Sequence, residues 1–99
     1  MVFEALADGN RRRILDLLLE RERPVHDLVG FLRVSQPAVS KHLRVLREAG
    51  LVTSRVDAQR RLYRLRAEPL HHLDDWLAPY RATWGPRLDA LESHLEEMT

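Results

Sequence analysis

Along most of this chain the apolar positions recur every three or four residues; midway the spacing changes to alternation, then returns. Phe3, Leu6 and Ala7 stand at i, i+3 and i+4 and predict a short first helix. Asp8-Gly9-Asn10 interrupts it, and Asn10 is the expected N-cap of a second helix, in which Ile14, Leu17 and Leu18 repeat the spacing through about Arg23. Pro24 suits the first position of a third, short helix carrying Leu28, Phe31 and Leu32, with Val25 as a nearby core partner. Ser35 caps a fourth helix whose first turn tolerates Pro37, because the missing N–H would have no intrahelical partner there. Val39, Leu43 and Leu46 form its buried stripe, and Gly50 is the expected left-handed residue just past its end. Only a very short turn around Arg33-Val34 joins helices three and four. Residues 25–49 therefore read as a helix-turn-helix.

The segments Leu51 to Val56 and Arg61 to Leu65 are β-prone and flank Asp57-Ala58-Gln59-Arg60, which predicts a hairpin over 51–65, a wing beside the helix pair. From Pro69 onward, Leu70, Leu73, Leu77, Tyr80, Trp84, Leu88, Leu91, Leu95 and Met98 return to steps of three and four. They predict a last helix over 69–97, kinked or segmented by Pro79 and Gly85-Pro86. The fold class is mainly α with a small β-hairpin: a single winged helix-turn-helix domain over 1–99, in the order α-α-α-α-β-β-α. So small a domain has little with which to cover the last seam. Phe3, Leu73, Leu77, Tyr80, Trp84, Leu88, Leu91 and Leu95 are expected to meet a second copy, making a homodimer through the first and last helices.

Charge changes the picture once the chain is divided. Residues 1–66 hold 14 Lys/Arg against 8 Asp/Glu, whereas residues 67–99 hold 2 against 7, so a basic body precedes an acidic tail. Lys41 is the only lysine, and arginine's planar fork matches phosphate oxygens and guanine edges better than an ammonium does. A hydrophobic share of 44% excludes a disordered chain, and no apolar run approaches a membrane span. The first residues lack a basic stretch followed by an apolar one, so no signal peptide is expected. With no cysteine, disulfides, thiolate metal sites and cysteine nucleophiles are excluded together, which suits a cytoplasmic protein.

The run Val34-Ser35-Gln36-Pro37-Ala38-Val39-Ser40-Lys41-His42-Leu43-Arg44-Val45-Leu46, continued by Arg47-Glu48-Ala49-Gly50-Leu51-Val52, resembles the ArsR/SmtB family of bacterial repressors. Ala5-Leu6-Ala7-Asp8 with Arg11 to Leu15, the wing from Arg55 to Leu65, and the tail from Asp75 to Trp84 extend the likeness over essentially the whole chain. The resemblance implies a homodimer that binds a near-palindromic double-stranded operator and represses transcription, in many members until a metal ion or other signal releases it.

Projecting the fourth helix at 100° per residue places Gln36, Pro37, Ser40, Lys41, Arg44 and Arg47 opposite its apolar stripe. Gln36 can pair with adenine, Ser40 and Arg44 with base edges or phosphate, and Lys41 with phosphate, while Ser35 is divided between capping and DNA. His42 projects toward the apolar side and is expected as a packed or hydrogen-bonded histidine, with a phosphate contact as the alternative that the resemblance implies. Arg55, Arg60 and Arg61 load the wing with positive charge, with Arg60 and Arg61 expected at the minor groove or its phosphates. Tyr63 and Leu65 read as packing residues; Arg11 and Arg12 read equally as contacts to the DNA backbone or as solvated surface.

No cofactor is expected. In family members with a metal site on the last helix, an Asp-x-His meets a His-x-x-Glu across the dimer; here His94 to Glu97 keeps the second half, but Arg81 and Thr83 replace the first. Zinc at His71/Asp75 or at His94/Glu97 is the alternative. Trp76, Tyr80 and Trp84 read as dimer core, with an effector pocket as the second possibility. The sequence names no effector. It holds no glycine-rich phosphate loop, and Ser40 and His42 diverge on their helix, so an enzyme is not expected. The rival to a DNA-binding regulator is a winged helix that binds protein without specific DNA recognition.

Overall fold

A computed structural model describes the backbone of residues 2–98 and the side chains of residues 2–83. Its elements are α1 (Val2–Leu6), α2 (Gly9–Glu20), β1 (Arg23–Pro24), α3 (Val25–Leu32), α4 (Gln36–Glu48), β2 (Val52–Asp57), β3 (Arg60–Leu65) and α5 (Glu68–Met98). Two compact units divide the chain, Met1–Pro69 and Leu70–Thr99.

In the first unit a helical cluster packs around one apolar centre. Ile14, Leu15 and Leu18 of α2, Leu28 and Leu32 of α3, and Val39, Leu43 and Leu46 of α4 are buried together with Ala5, Leu51, Val52 and Leu62. The heptad-like spacing of Val39, Leu43 and Leu46 keeps one stripe of α4 inward and so turns its opposite stripe to solvent. The α4 terminus closes with paired backbone bonds, Leu51 N–H to Leu46 C=O at 2.9 Å and Gly50 N–H to Arg47 C=O at 3.0 Å. Gly50 takes φ 77, a value that glycine reaches without a Cβ clash. That closure delivers the fully buried Leu51 and starts β2.

The sheet has three strands, not the two of the expected hairpin. Its order is β1-β3-β2, all antiparallel, with Pro24 opposite Leu62 and Leu62 opposite Arg55. Pro24 therefore sits in a strand and serves as the N-cap of α3 rather than as its first helical residue. A two-residue edge pairing carries no periodicity in sequence, so alternation could not announce it. In the hairpin Asp57 and Arg60 are paired across the ladder, leaving only Ala58-Gln59 in the turn, with Ala58 at φ 58.

Three smaller expectations also give way. Asp8, not Asn10, caps α2: its carboxylate accepts from Asn10 N–H at 2.8 Å and Arg11 N–H at 3.1 Å. Leu15 is buried where the expected Leu17 is only partly so, and Ala5 is the buried residue of α1. Phe31 is half-exposed, its ring lying 4.9 Å under the guanidinium of Arg23. Arg23 is itself buried, anchored by Nε to the Leu17 carbonyl at 3.1 Å and by Nη2 to Glu20 at 3.6 Å.

Hydrogen bonds from the Arg11 and Asn10 amides, with His42 and Arg11 nearby, hold the Asp8 carboxyl below the usual aspartate value. A carboxylate depressed in the folded state stabilises it fully above its unfolded pKa, and that contribution disappears as the pH falls through the folded pKa. Asp8→Ala is accordingly expected to lower the thermal midpoint near neutrality and to flatten its decline in acid, below about pH 4. Parallel midpoint curves for the two proteins down to the lowest pH at which both fold would contradict this assignment.

In the second unit the helix runs unbroken through Pro79 and Pro86, so the expected segmentation is not found. A helix-interior proline removes one donor and crowds one carbonyl, while the bonds of the turns on either side remain available. Arg81 donates to the Asp74 carboxylate, His71 lies 3.7 Å from Asp75, and Trp76 meets Tyr80 with ring centroids 5.1 Å apart.

Candidate nucleic-acid interface

Ser35 stands at the junction of the helix pair, in extended conformation, with its hydroxyl accepting from Ala38 N–H at 3.2 Å. The preceding turn depends on Arg33, which ends α3 in the left-handed region at φ 57 and donates its amide to the Val29 carbonyl. This reversal sets α4 off in a new direction after three residues. Gln36, Pro37, Ser40, Lys41, Arg44 and Arg47 are all exposed, on the side opposite Val39, Leu43 and Leu46. Pro37, Ser40, Lys41 and Arg44 line a shallow depression of about 470 Å³. Among the described residues, Lys41, Arg44, Arg47 and Arg61 have no ion-pair partner.

His42 is half-buried, and its Nδ1 lies 3.5 Å from Nη1 of Arg11. Arginine can only donate, so this contact requires the imidazole proton on Nε2. Arg11 also donates to the carbonyls of Ala5 and Glu4, and Arg12 to that of Leu6. Both arginines thus close the end of α1, a third role beside the DNA-backbone contact and the solvated surface between which their sequence positions leave them.

The wing separates three of its four arginines; the fourth, Arg64, is exposed and its charge helps to lower the Glu22 carboxyl. Arg55 forms a two-bond fork with Glu22, Nε and Nη2 each 2.9 Å from a carboxylate oxygen. Those bonds hold the Glu22 carboxyl below its usual range and raise the Arg55 guanidinium above its own. Arg60 lies 3.9 Å from Asp57. Arg60 and Arg61 are neighbours in an extended strand and project to opposite faces of it. No local signal marks the Glu22–Arg55 pair, because 33 residues separate the partners.

For the expected second-copy contact, Phe3 and Tyr80 are exposed and Leu73 and Leu77 half-buried. The side chains of Trp84, Leu88, Leu91 and Leu95, and those of His94 and Glu97, lie outside the described residues. His71, Asp74 and Asp75 bring one ligand atom each within 4.8 Å of one another, all exposed. An ion there would compete with Arg81 for Asp74. Among the described residues no helix is long and apolar enough to cross a membrane.

A short-turn helix pair with a polar, cationic outer face, followed by an arginine-bearing hairpin, defines a winged helix-turn-helix of the transcription-regulator class. Residues 8–54 match the bacterial regulatory protein, arsR family. The HTH-type transcriptional regulator Rv2034 of Mycobacterium tuberculosis is 48% identical over 63 residues, 64% of this chain and 59% of that protein. The transcriptional repressor SdpR of Bacillus subtilis is 32% identical over 77% of this chain and 84% of its own length. The solved ArsR-like transcriptional regulator from Rhodococcus sp. RHA1 superposes with a TM-score of 0.77 at 34% identity, covering 99% of this chain and 90% of that one. The chain belongs to the ArsR family, one of regulators rather than enzymes. It spans somewhat more than half the length of its Mycobacterium tuberculosis relatives.

Proposed function

We infer that this chain binds double-stranded operator DNA as a homodimer and represses transcription in the bacterial cytoplasm. Each copy inserts α4 into a major groove, the two sites lying about 34 Å apart, one helical turn. The carrying observation is the outward face of Gln36, Pro37, Ser40, Lys41 and Arg44, held there by the burial of Val39, Leu43 and Leu46. Gln36 and Arg44 read base edges, Ser40 and Lys41 take phosphates, Ser35 presents the helix start, and Arg60 and Arg61 reach the flanking groove. Phe3, Leu73, Leu77, Tyr80, Trp84, Leu88, Leu91 and Leu95 form the dimer seam. None of these contacts calls on a metal.

Selection of bound duplexes from a random pool tests the reading, repeated with zinc and with a chelator. Enrichment of a near-palindrome is expected, equal in both arms, with affinity falling steeply as salt rises through counterion release. Absence of enrichment, or binding indifferent to salt, would instead support a protein-interaction module. A response to zinc alone would make His71/Asp75 or His94/Glu97 a sensor.

A further inference from the structure

We propose that Glu22 is a positioning residue of the wing: its fork with Arg55 fastens the hairpin to the opposite edge of the sheet and withholds Arg55 from DNA, leaving Arg61, on the other face, as the phosphate contact of the strand. The proposal rests on the DNA-binding reading above and adds to it a division of labour among arginines of identical charge.

Strand order carries the argument. β1 and β2 are the two edges of the sheet, and neither pairs with the other, since β3 lies between them. Leu62 of β3 is opposite Pro24 on one side and Arg55 on the other, so these three side chains form a row across one face. Glu22 leads into β1 two residues before Pro24, and the Arg55 side chain reaches it across that row. The pair therefore ties edge to edge, where no ladder bond does. Parallel hydrogen bonds in a fork restrict both distance and orientation, which an ammonium cannot do.

Arg61 lies on the other face. Its cross-strand neighbour is Val56, which is exposed, and Arg61 has no ion-pair partner among the described residues. A wing laid on phosphates by its Arg61 face turns Arg55 away from them. Glu22 offsets the charge of the Arg55 guanidinium it holds, so the pair itself offers a phosphate little attraction.

The two roles open to Arg55 predict opposite signs. If Glu22 positions the wing, Glu22→Gln, Arg55→Ala and Arg55→Lys each weaken operator binding, by about two- to five-fold as for a partly exposed pair. The salt slope stays at the wild-type value, whereas Arg61→Ala lowers it by roughly 1.8, about 0.9 for each of the two copies on the operator. Hydrogen exchange of the β2 and β3 amides accelerates in all three clamp variants, and the exchanged pair Glu22→Arg with Arg55→Glu restores both affinity and protection. If Arg55 contacts DNA, Glu22→Gln frees it and tightens binding, Arg55→Lys retains affinity, Arg55→Ala lowers the slope, and the exchanged pair is the weakest of all. Any of those four results overturns the clamp. Failure of the unaltered chain to bind any duplex at low salt would remove the DNA reading itself, a result distinct from normal binding that tightens in Glu22→Gln.

Discussion

Arg44→Ala and Gln36→Ala are each expected to weaken operator binding on the order of 100-fold or more, the effect of deleting one two-bond base contact from each of the two half-sites. Both side chains are exposed on α4, and neither supports the core, so thermal midpoint and oligomeric state should be those of the parent chain. Sequence dependence separates the two kinds of contact. Gln36→Ala should relax preference at one base pair per half-site and leave the salt slope unchanged. Lys41→Ala should weaken all duplexes alike and reduce the slope. The measurement is a duplex titration on the selected operator and on single-base variants of it. Parental affinity in either Arg44→Ala or Gln36→Ala would remove α4 as the reading helix.

Leu43→Ala, one position away from Arg44, is expected to act entirely through stability. Leu43 is 2% exposed and packs in the centre of the first unit, so truncation removes buried apolar surface and leaves a cavity. Losses of this kind run to about 2–5 kcal/mol, a large share of the roughly 5–15 kcal/mol that holds a small domain together. The midpoint of denaturant unfolding should fall with little change in slope, and operator binding should recover once enough protein is folded. A loss under about 1 kcal/mol would show that the core closes over the missing side chain. Adjacent residues on one helix thus report separate properties, affinity at Arg44 and stability at Leu43.

The α4 stripe was legible because helix period is local: Val39, Leu43 and Leu46 declare their shared face by spacing alone. The same applies to the Ser35 cap and the Gly50 terminus, whose partners lie within a few residues. Phe31 was misread for the converse reason. Spacing put it on the inner stripe of α3, but a ring at the edge of that stripe can be covered by a cation from elsewhere, and Arg23 supplies one. Asn10 and Asp8 were equally good caps by residue type, and only the backbone turn at Asp8 chose between them.

What the sequence by itself determined is the order of the first four helices and the hairpin, the helix-turn-helix and the composition of the face that α4 turns outward. Each depends on residues close in the chain, where periodicity and turn chemistry act. Tertiary structure alone decided which charges are available. Glu22 engages Arg55, Arg11 closes α1 and meets His42, and β1 joins the sheet, all through partners that local spacing does not couple. A guanidinium has the same charge wherever it stands, and whether it faces a carboxylate, a carbonyl or solvent is settled only when distant segments meet.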